Sequence, residues 1–223
     1  MLLDIAYNFL KPEVLSSFKK YILEDLGPSL FATDDEVIYG NRHIQAFNLT
    51  FTTDKGWNNL SKLYPGFDDY LEKVVDFNMN MVHLVILKGG IGAEIELHQD
   101  DTLEEHLENN TNSPHKSIFL GVDPICSDTT TVVYLDIPKD MKGGEFYIPH
   151  NDGVPCENGQ EKKYIKPCSN FMVKFPGSMW HGANKVEHVG TGHRLNIVCE
   201  QYKLSKRNLR RLEEYDNPLI LKG

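Results

Sequence analysis

Two distant stretches of the chain carry side chains of the types that bind transition metals. The segment Glu96-Leu97-His98-Gln99-Asp100 ends in a His-x-Asp pair, and His181 follows a Phe-Pro-Gly turn about eighty positions later. Side chains alternate along a strand, so His98 and Asp100 point to the same side of the chain. Two imidazoles and one carboxylate can occupy one face of an iron(II) ion and leave the other positions open. We therefore predict a metal site formed by His98, Asp100 and His181.

Other residues could supply these ligands. The segment His150-Asn151-Asp152-Gly153 also contains His-x-Asp, although its Asn-Asp-Gly sequence is typical of a hairpin turn. Asp101 competes with Asp100 for the carboxylate position, but strand alternation would place it on the opposite face. If the third ligand is a different histidine, His188 and His193 are the candidates.

The composition is typical of one globular domain. The chain has 223 residues, of which 40% are hydrophobic and 25% charged, and this length suits a single β-rich core. No apolar run reaches membrane-spanning length and the first residues do not resemble a signal peptide, so we expect a cytoplasmic protein without a membrane segment. The net charge of −9 disfavours a nucleic-acid partner. The four cysteines contain no Cys-x-x-Cys pair, and we expect reduced thiols.

The pattern of apolar residues predicts helices near the N-terminus and strands after them. Helical periodicity covers residues 10–26 and 67–79, and residues 44–52 hold a weaker strand pattern. Short strands separated by turn residues are predicted at 81–87, 95–98, 116–122, 129–135, 145–148, 163–165, 170–175 and 194–202. We predict a mainly β fold with flanking helices, a jelly-roll or barrel. The single domain 1–223 would comprise helical support over 1–80, a β core over 81–202 and a C-terminal helix or tail over 203–223.

Five short motifs occur in a fixed order along the core. They are His-x-Asp at 98–100, Tyr134 in Val-Val-Tyr-Leu-Asp, Gly-Gly-Glu at 143–145, Phe-Pro-Gly at 175–177 before His-Gly at 181–182, and Gly-His-Arg at 192–194. This arrangement resembles the prolyl-4-hydroxylase-like branch of the iron(II)/2-oxoglutarate-dependent dioxygenases over roughly residues 82–202. The resemblance implies a double-stranded β-helix, the cupin-like jelly-roll, supported by N-terminal helices.

The resemblance also implies roles for individual residues. The iron ligands and catalytic residues would be His98, Asp100 and His181. Arg194 would pair with the distal carboxylate of 2-oxoglutarate, to which its planar guanidinium can donate two parallel hydrogen bonds. Tyr134 matches a tyrosine whose hydroxyl meets the same carboxylate. Asn196, also assigned to the co-substrate, stands where the family often has a small hydroxyl residue. The chain departs from the family at Asn170, where glycine is common, and in the long gap between Asp100 and Tyr134.

By resemblance, the chain is an enzyme that hydroxylates a C–H bond. Iron(II) would be its cofactor, 2-oxoglutarate and O2 its co-substrates, and ascorbate a reductant; succinate and CO2 would be released. The substrate implied first is a prolyl or other residue in a polypeptide, and the alternative is a free amino acid or small metabolite. A hypothesis from another class is a non-catalytic cupin-like protein that binds a metal or small molecule. Arg194 and Tyr134 favour the enzyme, since such a protein needs no carboxylate anchor. No oligomeric state is assigned.

Overall fold

The computed structural model describes residues 3–26, 43–53, 55–103, 125–149, 161–206, 208–209 and 220–221. The strands in this part of the chain are β1 Asp4–Tyr7, β2 Ile44–Thr52, β3 Met81–Gly89, β4 Ile95–His98, β5 Thr129–Asp136, β6 Lys142–Gly143, β7 Phe146–Pro149, β8 Lys162–Ile165, β9 Phe171–Phe175, β10 His181–Ala183, β11 Val186–His188, β12 Arg194–Tyr202 and β13 Ile220–Leu221. The helices are α1 Pro12–Lys20, α2 Lys55–Leu63 and α3 Asp68–Val74, with a π-helical turn at Tyr21–Leu26 and a 3₁₀ turn at Pro65–Phe67.

The strands form two layers. The large sheet has the order β1-β9-β5-β12-β3-β2-β13, in which all pairs are antiparallel except the parallel pair of β13 with β2. The second layer contains the sheet β4-β10-β7-β8 and the small pair β11-β6. Side chains from the inner face of the large sheet pack against the second layer in two clusters, one around Phe146 and Phe175 and one around Leu87 and Val186. β12 lies at the centre of the large sheet, so its inward side chains face the space between the layers.

The helices cover the outer face of the large sheet. Alternate residues of β3 and β12, including Leu84, Ile86 and Ile197, pack with Phe18 of α1 and Tyr70 of α3 in the largest apolar cluster. Strand alternation thus assigns one face of the central strands to the helices and the other face to the second layer. The predicted mainly β fold with flanking helices is confirmed.

The boundaries of three strands match the predictions. β2, β4 and β12 begin and end at the predicted residues. The prediction for 67–79 was too long, because α3 ends at Val74. Gln201 explains this end: its amide donates to the Val74 carbonyl (3.1 Å) and its carbonyl accepts from the Asp76 N–H (2.6 Å). The predicted helix over 10–26 is α1 continued by the π-helical turn.

The N-terminal region is more than helical support. Within residues 1–80, β1 and β2 are strands of the large sheet, and the sequence prediction missed β1 and α2. β13 brings part of the C-terminal tail to the same sheet. The predicted strand 116–122 and most of the predicted tail helix lie outside the described residues. None of the described helices is long and apolar enough to cross a membrane. Cys168 and Cys199 are free thiols, as predicted, and Cys156 lies outside the described residues.

Asn170 fastens the N-terminal segment to the sheet. Its backbone is left-handed (φ 61°), a conformation that asparagine tolerates better than most residues. Its side-chain carbonyl accepts from the Leu10 N–H and its amide donates to the Leu10 carbonyl, both at 2.8 Å. The residue at the position where the family often has glycine therefore adds two buried hydrogen bonds, which glycine could not make.

Candidate metal centre and co-substrate pocket

Two neighbouring strands of the second layer position the two histidines. His98 is the last residue of β4 and His181 the first of β10, and the two are directly paired across the antiparallel ladder. Asp100 lies two residues beyond the end of β4, where its backbone N–H donates to the Gly177 carbonyl (2.9 Å). The Phe-Pro-Gly turn before β10 therefore holds the His-x-Asp segment in place.

The three predicted ligands meet at one point. The Asp100 Oδ1 lies 3.6 Å from the Nε2 of His98 and 3.5 Å from the Nε2 of His181. One ligand atom from each residue falls within 4.8 Å of the others, and no other such group of three occurs in the described part of the chain. His188 lies elsewhere and pairs at 3.5 Å with Asp140 at the surface. The segment 150–153 lies outside the described residues.

Backbone carbonyls orient both imidazoles. The Nδ1 of His98 is 2.8 Å from the Glu96 carbonyl and the Nδ1 of His181 is 2.9 Å from the Met179 carbonyl. A carbonyl accepts only, so each Nδ1 carries a proton, and each Nε2 faces Asp100 and presents a lone pair when its ring is neutral. This arrangement is typical of histidines that bind a metal through Nε2.

A hydroxyl pair holds the Asp100 carboxylate. The Thr130 hydroxyl donates to Asp100 Oδ2 (2.5 Å), which leaves Oδ1 facing the histidines, and the Ser127 hydroxyl lies 2.7 Å from that of Thr130. Ser127 also donates its N–H to the Asp100 carbonyl (2.8 Å). A Cβ at Gly177 would overlap the Ser127 hydroxyl oxygen. The glycine of the Phe-Pro-Gly turn is thus required for this close approach.

The charges of the metal-free site are uneven. Burial opposes a charge on His98, but the adjacent Asp100 carboxylate outweighs it and raises the pKa of His98. Burial lowers the pKa of His181, which therefore stays neutral. Burial opposes the charge of Asp100 as well, yet the two histidines and the Thr130 hydroxyl lower its pKa on balance. The site is one buried carboxylate with a neutral and a protonatable imidazole, which is the donor set of a divalent cation once the proton of His98 is displaced.

The ligands open into a pocket between the two layers. Its volume is about 540 Å³, including open solvent at its mouth. Its walls are mostly apolar, and its polar walls come from β12, Thr102 and the three proposed metal ligands. The lining residues are Leu87, Ile95, His98, Asp100, Thr102, Val132, Phe146, His181, Gly182, Ala183, Arg194, Asn196, Val198 and Glu200.

Arg194 presents a buried cation to this pocket. Its side chain is only 4% exposed, and its Nε has no hydrogen-bond partner. The one hydrogen bond of its guanidinium in the described structure is a long one (3.5 Å) from Nη2 to the Tyr134 hydroxyl. A buried guanidinium with unused donors is costly unless an anion joins it. Arg194 is therefore suited to bind the carboxylate group of a ligand in the pocket.

Tyr134 and Asn196 lie close to this arginine in the sheet, on β5 and β12. Tyr134 is fully buried, is not among the pocket-lining residues, and lies under the guanidinium, with its ring centre 5.2 Å from the central carbon. Burial raises the pKa of its hydroxyl, which thus stays protonated. Asn196 is paired with Tyr134 across β5 and β12 and lines the pocket two residues after Arg194. The structure brings both predicted residues to the arginine, but only Asn196 faces the open space.

Comparison with solved structures identifies the fold. A prolyl-4-hydroxylase from Pseudomonas putida superposes with a TM-score of 0.53 at 12% identity, covering 92% of this chain and 94% of the other. A Trichoplax adhaerens prolyl hydroxylase, in complex with a peptide fragment of the hypoxia inducible factor oxygen degradation domain, gives 0.53 at 12% over 96% and 88%. This chain has the prolyl hydroxylase fold.

Further comparisons agree at the level of architecture. A viral collagen prolyl hydroxylase from Paramecium bursaria Chlorella virus-1, in complex with 2OG, gives a TM-score of 0.51 at 13% identity over 92% of this chain and 97% of the other. No family model matches the sequence, and no curated protein matches it. The predicted double-stranded β-helix is therefore confirmed by the structural comparison. At 12–13% sequence identity, these similarities show the fold alone.

Sequence reasoning missed the polar residues that surround the ligands in this prolyl hydroxylase fold. Thr130 and Ser127 come from a strand and the loop before it, and nothing in their local sequence distinguishes them from other strand and loop hydroxyls. Glu200 could have been found: it lies on β12 at an even spacing from Arg194, so strand alternation places it on the same inward face. A glutamate on the buried face of a central strand is uncommon enough to indicate a function.

Proposed function

We propose that this protein is an iron(II)- and 2-oxoglutarate-dependent dioxygenase that hydroxylates a C–H bond of its substrate. The observation that carries the proposal is the joint presence, in one pocket, of the His98–Asp100–His181 group and the buried, underpaired guanidinium of Arg194. Three ligands on one side of a metal leave positions for a chelating co-substrate and O2. When bound, iron(II) and 2-oxoglutarate supply the oxidising chemistry, with release of succinate and CO2.

The chain itself supplies binding and orientation. The carbonyl-bound Nδ1 atoms direct the two Nε2 lone pairs, and Thr130 fixes which oxygen Asp100 presents. Arg194 would donate two parallel hydrogen bonds to a carboxylate of 2-oxoglutarate, and Tyr134 would keep the guanidinium in place from below. The apolar walls exclude water and strengthen these charged contacts.

The substrate proposed first is a residue of a polypeptide, with prolyl as the starting candidate. This rests on the fold, which is shared with structures described as prolyl hydroxylases, one of them with a peptide fragment bound. A free amino acid or small metabolite is the second candidate. A non-catalytic cupin-like binder is disfavoured by Arg194, because it would leave a buried cation without a partner.

Two measurements test the proposal. The first is binding of 2-oxoglutarate by calorimetry with Mn(II), which resembles iron(II) in its ligands but does not turn over. The second is succinate release with iron(II), 2-oxoglutarate, O2 and ascorbate in the absence of prime substrate. We expect metal-dependent 2-oxoglutarate binding and slow succinate release.

The matched variants are His181→Ala and His188→Ala, since both remove an imidazole but only the first removes one from the metal centre. His181→Ala should lose Mn(II) and 2-oxoglutarate binding, whereas His188→Ala should retain both. Absence of 2-oxoglutarate binding with and without Mn(II) in the unaltered chain would reject the oxygenase proposal in favour of the binding protein.

A further inference from the structure

Glu200 is an acidic residue inside the pocket that the proposed chemistry does not use. It is 2% exposed and lines the pocket on the same strand face as Arg194. Six residues of strand separate the two, which corresponds to about 20 Å. Glu200 is paired across the sheet with Thr130, the residue that holds Asp100. Glu200 therefore lies near the metal centre, at the end of the pocket away from the co-substrate arginine.

Two hydroxyl groups donate hydrogen bonds to Glu200. The Thr102 hydroxyl donates to Oε1 at 3.0 Å and the Tyr202 hydroxyl donates to Oε2. His83, its other cross-strand neighbour, lies 2.7 Å through Nδ1 from the Thr50 hydroxyl. No lysine or arginine of the described chain forms an ion pair with Glu200. Burial raises the pKa of Glu200 to about 8, and the negative charge of Asp100 adds to this shift.

The charges of the occupied site provide no cation for Glu200. With iron(II) and the 2-oxoglutarate dianion bound, the charges of the metal, the co-substrate, Asp100 and Arg194 cancel, provided that both histidine ligands are neutral. Glu200 is then an acidic group that no described cation balances, and burial favours its neutral, protonated form until a cation binds. A buried carboxylate of this kind is costly alone and becomes favourable when a cation with hydrogen-bond donors pairs with it. The group that would complete the site is a cation brought by the substrate.

We propose that Glu200 is a substrate-recognition residue that pairs with an ammonium or guanidinium group of the substrate, close to the carbon that is hydroxylated. This inference rests on the proposed function and narrows its substrate class. It favours a basic amino acid residue over a neutral prolyl ring, whose peptide nitrogen carries no charge and no N–H. The two hydroxyls that donate to Glu200 hold the carboxylate in place for this contact.

The test compares two basic probes with a neutral probe close to lysine in size and with a proline probe. The protein is loaded with Mn(II) and 2-oxoglutarate, and binding of Nα-acetyl-lysine amide, Nα-acetyl-arginine amide, Nα-acetyl-norleucine amide and Nα-acetyl-proline amide is measured by calorimetry. Paramagnetic broadening of the probe proton signals by Mn(II) reports whether the probe lies at the metal. We expect at least one of the two basic probes to bind about tenfold or more tightly than the norleucine probe, as expected for a charge-assisted hydrogen bond.

Variants then assign the preference to one carboxylate. Glu200→Gln should remove the tenfold preference while keeping Mn(II) and 2-oxoglutarate binding, and Glu200→Met is the second variant, of similar volume, if the amide disturbs folding. The control is Glu94→Gln, which removes an exposed acid just before β4 and should keep the preference.

The outcomes separate the two proposals. Equal affinity of all four probes in the unaltered protein, or a preference that survives in a folded Glu200 variant, overturns the role of Glu200 and leaves the oxygenase proposal intact. If the unaltered chain shows no Mn(II)-dependent binding of 2-oxoglutarate, the proposed function itself is overturned.

Discussion

Thr130 offers a sharp test of how the proposed metal centre is built, because its hydroxyl orients Asp100, one of the three proposed ligands. The Thr130 hydroxyl donates to Asp100 Oδ2 at 2.5 Å, and both side chains are buried. Thr130→Val keeps the β-branched shape that suits the strand and removes only this donor. In the variant, Asp100 loses the bond that directs its other oxygen toward the histidines, and the Ser127 hydroxyl loses its partner.

Two independent estimates of the effect agree. A hydrogen bond to a charged group contributes about 1.5–3 kcal/mol, which corresponds to a factor of roughly 10 to 150 in an equilibrium constant. Loss of a group that orients a metal ligand typically lowers metal affinity by about 10–100-fold. We therefore expect Thr130→Val to bind Mn(II) about 10–100-fold more weakly. We also expect the free energy of unfolding of its metal-free form to fall by about 1–3 kcal/mol.

The assay is Mn(II) titration followed by the electron paramagnetic resonance signal of the free ion, with urea unfolding of the metal-free protein alongside. Thr131→Val is the matched control, since Thr131 is the next residue of β5, is also buried, and points to the opposite face. It should retain Mn(II) affinity. If Thr130→Val binds Mn(II) as tightly as Thr131→Val, Asp100 does not need the hydroxyl and the account of its orientation is wrong.

Five other substitutions test the proposed co-substrate anchor, the Phe-Pro-Gly turn and the contact of Asn170 with the N-terminal segment. Arg194→Lys should weaken 2-oxoglutarate binding at least about tenfold with little change in Mn(II) affinity, because an ammonium lacks the two parallel donors. Tyr134→Phe should also weaken 2-oxoglutarate binding, by about 0.5–1.5 kcal/mol. Calorimetry that shows no change in either variant would refute the role of Arg194 and Tyr134 in holding 2-oxoglutarate. Gly177→Ala should lower Mn(II) affinity, since the added Cβ would displace Ser127, whose N–H and hydroxyl help to hold Asp100. An alanine variant with unchanged Mn(II) affinity would contradict this. Asn170→Ala should reduce the free energy of unfolding by about 2–4 kcal/mol, from two lost buried bonds and a left-handed alanine, whereas Asn170→Gly should lose less; equal losses in urea titrations would show that the backbone conformation is unimportant.

Local sequence was sufficient for the strands that carry the site. β4 and β12 were predicted to the residue because their patterns are continuous and bounded by turns. The proposed metal ligands and Arg194 were also predicted from the sequence, the ligands from residue type and spacing and the role of Arg194 from the order of motifs that resembles the dioxygenase family. β10, with three residues, was missed because so short a segment has no measurable period.

The orientation of those ligands was decided only by tertiary contacts. The carbonyls and the hydroxyl that direct His98, His181 and Asp100 depend on backbone positions and on a strand thirty residues away. Hydrogen bonds of this kind produce no periodic pattern in the sequence, because every residue type can supply a backbone carbonyl and many strands contain a threonine. The same holds for Gly177, whose need to lack a Cβ appears only when Ser127 packs against it.

The sequence by itself therefore determined which side chains could bind a metal and a carboxylate, because residue type and strand alternation are local properties. Tertiary structure alone decided that the three ligands meet within 4.8 Å, that Arg194 is buried with unused donors, and that Glu200 shares their pocket. The physical reason is that burial and pairing depend on which strands become neighbours in the sheets. β12 is the clearest case: its alternation shows that Arg194 and Glu200 share a face, but only the second layer makes that face a pocket.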